Sequence, residues 1–278
     1  MQQLAVLNDK IVPFEKLQPV YLDRGTFFGD GVYEVVRSYN GKIFALDEHL
    51  GRFAASLAAI GIENVQIDQI RTRLLTAFKK AAIPNAKIYF HVTRGSAPRN
   101  HLAPEALKPN FFLTITELPE NPDAKNNGIA VATHPDWRWK RCDIKSLNLL
   151  PNVLARRYAA RKGCDEAILV DDNGLITEGA ASAFFAILGR TLQTAPLSAN
   201  ILPSITRRYV IKAAENLSLQ LIEQALSPHQ AARADELFIA ITTYDILPVV
   251  RFDDAVIADG RPGKYVKSLI QEFRKFTL

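Results

Sequence analysis

An α/β (α+β) fold in two domains is what this sequence predicts, and three observations carry the prediction. Strand-like runs rich in β-branched and aromatic residues alternate with segments whose apolar residues recur at helical spacing. The 278 residues include 48% hydrophobic ones, enough apolar material for two cores, and the length exceeds the ~100–200 residues of one ordinary domain. The stretch Pro119-Glu-Asn-Pro-Asp-Ala-Lys-Asn-Asn-Gly128 reads as a linker through its Pro, Asn and charge. The boundary falls there, giving a small N-terminal domain over 1–120 and a larger C-terminal domain over 121–278.

The elements follow in order. Leu4–Leu7, Asn8-Asp9 and Ile11-Val12 read as a short hairpin. Tyr21–Gly31 is a Gly-rich loop feeding a strand over Val32–Tyr39, and Asn40-Gly41 is a hairpin turn. A return strand over Lys42–Leu46 ends at Asp47, the expected N-cap of a helix over Glu48–Ile60 that Gly61 stops. A second amphipathic helix covers Asp68–Ala82. Strands at Lys87–Thr93 and Asn110–Leu118 flank the polar loop Arg94–His101. In the second half, a strand at Ile129–Thr133 leads through Trp137-Arg-Trp-Lys-Arg141 to a helix over Pro151–Lys162, with Pro at its start and Gly163 beyond its end. Strands are expected at Glu166–Val170, Leu175–Glu178, Ala183–Leu188 and Glu236–Thr243, and Ser204 caps a helix over Ile205–Asn216.

Composition removes several classes of function. Charged residues make up 23%, and no run of ~18 or more apolar residues is present to span a membrane. The first ten residues have neither a basic n-region nor a long apolar core, so a cytoplasmic protein without a membrane partner is expected. Cys142 and Cys164 are too few for a disulfide framework, and the five histidines show no metal-ligand spacing. The net charge of +5 comes from scattered residues that lack interleaved aromatics, so no nucleic-acid partner is expected. A modest positive field also suits anionic metabolites and phosphorylated cofactors.

Five constellations carry chemical content. Lys145 stands between apolar neighbours in Arg141-Cys-Asp-Ile-Lys-Ser-Leu-Asn-Leu-Leu150. It is either a solvated lysine or a working amine; presenting it neutral at pH 7 costs roughly 4.6 kcal/mol unless the site lowers its pKa or binds the nitrogen covalently. Glu178, in Thr177-Glu-Gly-Ala-Ala-Ser182, is a strand-end glutamate or a carboxylate that keeps a ring nitrogen protonated, with small neighbours that admit a flat ligand. The helix start at Ile205 and Thr206 is an ordinary capped end or a phosphate site to which Arg52 adds charge; Thr242-Thr243 is equally open between strand and phosphate roles. Arg99-Asn100-His101 sets a guanidinium beside an imidazole, a pair able to clamp a carboxylate. Tyr33 either packs or supplies a phenolic donor.

Taken in order, Asp23-Arg-Gly25, Phe28-Gly-Asp-Gly-Val-Tyr-Glu-Val-Val-Arg37, Asp47-Glu-His-Leu-Gly-Arg52, Thr93–His101, Cys142–Leu150 and Thr177-Glu-Gly179 give the chain its likeness. It resembles the fold-type IV pyridoxal-phosphate aminotransferases nearly end to end, and its Arg-x-His loop ending resembles the D-specific branch. The resemblance implies a small α/β domain and a larger domain of mixed sheet or barrel with helices. It implies pyridoxal 5'-phosphate carried on Lys145, which shuttles a proton between the substrate α carbon and the cofactor's C4′. Glu178 would pair with the pyridine nitrogen; Arg52, Ile205, Thr206 and Thr242 would take the phosphate; Tyr33, Arg99 and His101 would form the carboxylate trap. The loop bearing Arg99 and His101 would reach across a homodimer, and the implied reaction is D-alanine plus 2-oxoglutarate giving pyruvate and D-glutamate. Two positions depart from the family: Ala180-Ala-Ser-Ala183 replaces a serine-rich run ending in asparagine, and the bulky Tyr244-Asp245 follows the threonine pair, where it is expected to alter the pocket.

Overall fold

The computed structural model describes residues 4–8, 10–198 and 200–278. Its first element is the expected hairpin, β1 (Leu4–Leu7) against β2 (Lys10–Pro13), with Leu7 opposite Lys10. Asp9, the second residue of the expected turn, lies outside the described residues. The Gly-rich stretch holds a short helix, α1 (Arg24–Phe28), where the sequence suggests only loop. Asp23 starts it by accepting the Gly25 N–H at 2.7 Å, and Gly29, at φ 64°, ends it in the left-handed region.

The chain then builds an antiparallel sheet and covers one face of it. The strands are β3 (Gly31–Tyr39), the two-residue β4 (Lys42–Ile43), and, beyond helices α2 (Leu46–Ala59) and α3 (Ile67–Ala81), β5 (Ala86–Thr93) and β6 (Asn110–Glu117), in the order β4-β3-β5-β6. Asn40 and Gly41, at φ 48° and 82°, make the two left-handed steps that a tight hairpin needs. Alternation along β3 and β5 sends Val32, Val36, Ile88 and Phe90 to one face, where Leu50, Phe53 and Leu57 of α2 and Ile70 and Leu74 of α3 close over them. Tyr33, Val35, Lys87 and Tyr89 fall on the opposite, half-buried face.

Helix α2 begins earlier than expected. Phe44 N–H still donates to Arg37 O at 2.9 Å, so the return strand stays paired to β3 through Phe44 and ends there. Ala45, at φ 50°, turns the chain and stands at the N-cap with no side-chain cap. Asp47 sits in the first turn, complements the helix dipole and pairs with Arg71 at 2.6 Å.

The stretch that reads as a linker also contains a helix, α4 (Pro122–Asn127), because Asn121 accepts the Ala124 N–H at 3.1 Å and proline occupies the first turn. Its buried Lys125 reaches Asp245 at 2.8 Å. The remaining elements are β7 (Ile129–Pro135), α5 (Leu150–Arg161), β8 (Glu166–Val170), β9 (Ile176–Gly179), β10 (Ala183–Leu188) and β11 (Thr191–Thr194). They continue with α6 (Ile205–Asn216), β12 (Gln220–Glu223), α7 (Pro228–Ala231), β13 (Glu236–Ile241), β14 (Asp245–Phe252), β15 (Ala255–Val256) and α8 (Lys264–Lys275).

Nine of these strands form one sheet ordered β12-β11-β10-β13-β14-β7-β8-β9, with β15 beside β14. The sheet is mixed: β7 runs parallel to β8 and β14, β11 runs parallel to β12, and the other pairs are antiparallel. The Gly179 N–H donates to Ser182 O at 2.7 Å, drawing the outermost strand back toward β10 and curling the sheet. A mixed α/β fold is thus what the sequence builds. Phe53, fully buried with its ring 5.0 Å from Phe90, anchors the core beneath the four-stranded sheet. Phe53→Ala should lower unfolding free energy by about 3–5 kcal/mol, to be measured by urea denaturation.

Candidate active site

The segment around Lys145 has no regular structure of its own and takes its shape from β3. The Tyr33 N–H donates to Lys145 O at 3.0 Å, and the Leu147 N–H donates to Gly31 O at 3.0 Å. The Lys145 N–H is held at 3.2 Å by Ser56 Oγ of α2. Gly31 permits this approach, since a Cβ there would meet Val92 O at 2.6 Å and Leu147 Cδ1 at 2.8 Å. The result sets Lys145 Nζ 4.2 Å from the Tyr33 ring centroid, and both side chains line a cavity of ≈ 290 Å³ between the two sheets.

Glu178 enters the cavity from the end of β9 and is buried. One carboxylate oxygen accepts the Leu202 N–H at 3.2 Å and a hydrogen bond from Arg138 Nη1. Arg138 is itself gripped by Asp136 at 2.8 and 2.7 Å, while Thr177 Oγ1 donates to Asp136 at 2.8 Å. Burial raises the Glu178 pKa, with Arg138 and the Leu202 N–H opposing it. For Asp136 burial also pushes upward, but the guanidinium wins and the carboxyl lies below its ordinary range. Arg138 was missed in the sequence; the basic-aromatic run containing it was the only signal. The nearby Cys142 thiol is pushed up to about 11 by burial and is not a nucleophile at neutral pH.

A different set of groups suits phosphate. Arg52 of α2 is held by Glu34 through two bonds of 2.7 and 2.8 Å and donates to Pro203 O at 3.0 Å. His49 contacts the same carboxylate at 2.8 Å. This fixes the guanidinium at the start of α6, where Ser204 Oγ accepts the Arg207 N–H at 3.1 Å. Ile205 and Thr206, both buried, are the first residues of that helix, so their N–H groups lack intrahelical acceptors. Arg52, Ser204 and Thr242 line the main cavity, whereas Ile205 borders an adjoining one of ≈ 410 Å³ shared with Arg52 and Pro203.

The two departures from the family pattern have structural answers. Ala180 O accepts from Asn152 Nδ2 at 2.7 Å and Ser182 Oγ donates to Glu166 at 3.3 Å, so the alanine-rich turn is tied down from its flanks. Tyr244 and Asp245 do not line the cavity, contrary to the sequence expectation. Tyr244 packs against the larger core, and Asp245 is buried beside Arg37 and Lys125. Arg99 and His101 also lie outside the cavity of their own chain. Arg24 fastens their loop to α1 by donating to Asn100 O at 2.6 Å and His101 O at 3.0 Å, and both side chains lie 5.3 Å from the Phe28 ring.

The donor set fits pyridoxal 5'-phosphate: an amine for the aldehyde, a buried carboxylate for the ring nitrogen, a helix start with a fixed arginine for the phosphate, and a small-residue wall from Gly179 to Ala183. Such a site on such a fold defines a fold-type IV pyridoxal-phosphate aminotransferase. The chain belongs to the amino-transferase class IV family, whose sequence profile matches residues 31–252. It is 36% identical over 272 residues to a D-alanine aminotransferase of Staphylococcus epidermidis, covering 97% of this chain and 96% of that protein. It is 38% identical over 248 residues to a D-alanine aminotransferase of Bacillus licheniformis, covering 89% and 87%. Among solved structures, the branched-chain amino acid aminotransferase of Escherichia coli superposes with a TM-score of 0.87 at 26% identity, covering 96% of this chain and 92% of that one.

Burial would raise the Glu34 carboxyl, but Arg52 and His49 pull it from 4.5 down to about 2. Because the folded value is the lower one, the stability it contributes is present above pH 4.5 and is lost as pH falls toward 2. The loss should be on the order of 3 kcal/mol. Urea midpoints measured across this window should fall more steeply for the wild type than for Glu34→Gln.

Proposed function

We propose that this chain is a D-amino-acid transaminase, moving the amino group from D-alanine to 2-oxoglutarate to give pyruvate and D-glutamate in two half-reactions. The reading treats residues 1–120 as a small domain and 121–278 as the larger, cofactor-binding one, in a soluble cytoplasmic homodimer. The observation that carries it is that Lys145 Nζ, the buried Glu178 carboxylate and the Glu34-held Arg52 share one cavity. The D-alanine aminotransferases at 36–38% identity support the choice of substrate.

Pyridoxal phosphate, when bound, supplies an electron sink for charge developing at the substrate α carbon. Lys145 would hold the cofactor, and its Nζ would carry the proton from the substrate α carbon and deliver it to the cofactor's C4′. Glu178 keeps the ring-nitrogen end charged, and Arg138 with Asp136 holds that carboxylate in place. Arg52, Ile205, Thr206 and Thr242 bind the phosphate. Tyr33 orients the substrate α-carboxylate together with Arg99 and His101 of the partner subunit, because these two residues in their own chain face α1 and not the cavity.

Purified protein given D-alanine and 2-oxoglutarate should release pyruvate; turnover of L-leucine without D-alanine would assign it to branched-chain substrates. Lys145→Ala should reduce turnover by roughly 10⁴-fold or more and abolish the visible absorbance of the bound cofactor, with the thermal midpoint little changed.

A further inference from the structure

Every arginine of the cavity wall is already neutralised: Arg52 by Glu34, and Arg138 by Asp136 and Glu178. Lys145 is committed to the cofactor. One cation remains, Lys87 of β5, which lines the cavity and, among the described residues, has no carboxylate within ion-pair distance. Its position in the sheet is fixed by register, since Arg37 lies opposite Lys87 and Tyr33 lies opposite His91. Lys87 and Tyr33 therefore stand on one face, four residues apart along the ladder, or ~13 Å at the strand rise.

Tyr33 marks the lysine end of the cavity. Lys87 marks the other, beside the Thr242-Thr243 turn, because Arg37 Nη1 donates to Thr243 O at 2.8 Å directly across the ladder. Two like charges opposite each other cost stability. Arg37 is relieved by Asp245 and Glu120, whereas Lys87 has no such relief. A half-buried lysine without a carboxylate partner in a cavity wall suits an anion brought by the ligand.

We infer that Lys87 determines specificity by binding the distal carboxylate of dicarboxylic substrates, 2-oxoglutarate and D-glutamate, while Tyr33 serves the α-carboxylate. The inference rests on the transaminase reading above. It separates two substrate classes within one pocket: D-alanine and pyruvate end before they reach Lys87, whereas the dicarboxylates reach it.

The test compares wild type, Lys87→Met and Lys87→Arg as holoenzymes. The D-alanine and D-glutamate half-reactions are followed by the cofactor spectrum, and glutarate, an inert dicarboxylate, is titrated as a binding probe. In Lys87→Met, kcat/KM for D-glutamate should fall about tenfold and glutarate affinity by a similar factor. The D-alanine half-reaction should stay within about twofold, which also reports an intact fold, and Lys87→Arg should retain most of the discrimination. Equal losses for D-alanine and D-glutamate, or no change for either, would overturn the assignment of Lys87 alone. A wild type whose spectrum responds to no D-amino acid would overturn the transaminase reading and this inference with it.

Discussion

The backbone pairing of residues 145–147 with Gly31–Tyr33 is the contact on which the cavity depends. It joins an irregular segment of the second half of the chain to the first strand of the small sheet through two hydrogen bonds of 3.0 Å. One ladder thereby positions the backbone that carries both the amine and the phenol, so the two side chains start from a separation set by main chain. Fixing the reactive groups on a backbone ladder costs little order when ligand binds. The price is paid in sequence freedom at Gly31, where a side chain has no room.

Two buried ionic clusters reinforce this junction from either side. Glu34, His49 and Arg52 tie β3 to α2 and, through Pro203 O, to the start of α6. Arg37 and Lys125 converge on Asp245, with Glu120 bound to both cations, and so tie β3 to the entrance of β14. Such clusters contribute little net stability, because desolvation offsets attraction, yet removing one member strands a buried charge and costs several kcal/mol. Their consequence is positional. The Thr242-Thr243 turn and the helix start are each held in fixed relation to β3, so these two parts of the site cannot drift independently.

Local signals in the sequence were strong enough to place α6 residue for residue, with Ser204 as its cap, and to set the Asn40-Gly41 turn. They failed where tertiary contact decides the outcome. Asn121-Pro122 carries the same cap-and-first-turn chemistry as a helix start, but embedded in prolines and charges it reads as linker until Lys125 finds Asp245. Strands β11, β12 and β15 are two to four residues long and carry too little periodicity to stand out. Helix α8 was legible in principle, since Val266, Leu269 and Phe273 recur at helical spacing and are buried. Arg138 was not: a guanidinium among tryptophans reads as surface, and only the fold brings Asp136 and Glu178 to it.

The Arg99–His101 loop illustrates a limit of another kind. Arg24 is buried, and it spends its guanidinium on two loop carbonyls and on Asp30. Arg94 adds a second clamp from the loop's base through Asp30, Gly61 O and Ile60 O, at 2.9, 2.7 and 2.6 Å. A loop this heavily fastened is held in place, yet the exposed Arg99 and His101 at its end lie over Phe28 and, among the described residues, have no carboxylate within ion-pair distance. Fastening without an internal ionic partner is what preorganisation for an external one requires, since the ordering cost is met on folding and not on association. In the proposed dimer the carboxylate trap is therefore divided: Tyr33 is set by the ladder that sets Lys145, and the Arg99 and His101 that join it are set by α1 of the partner subunit.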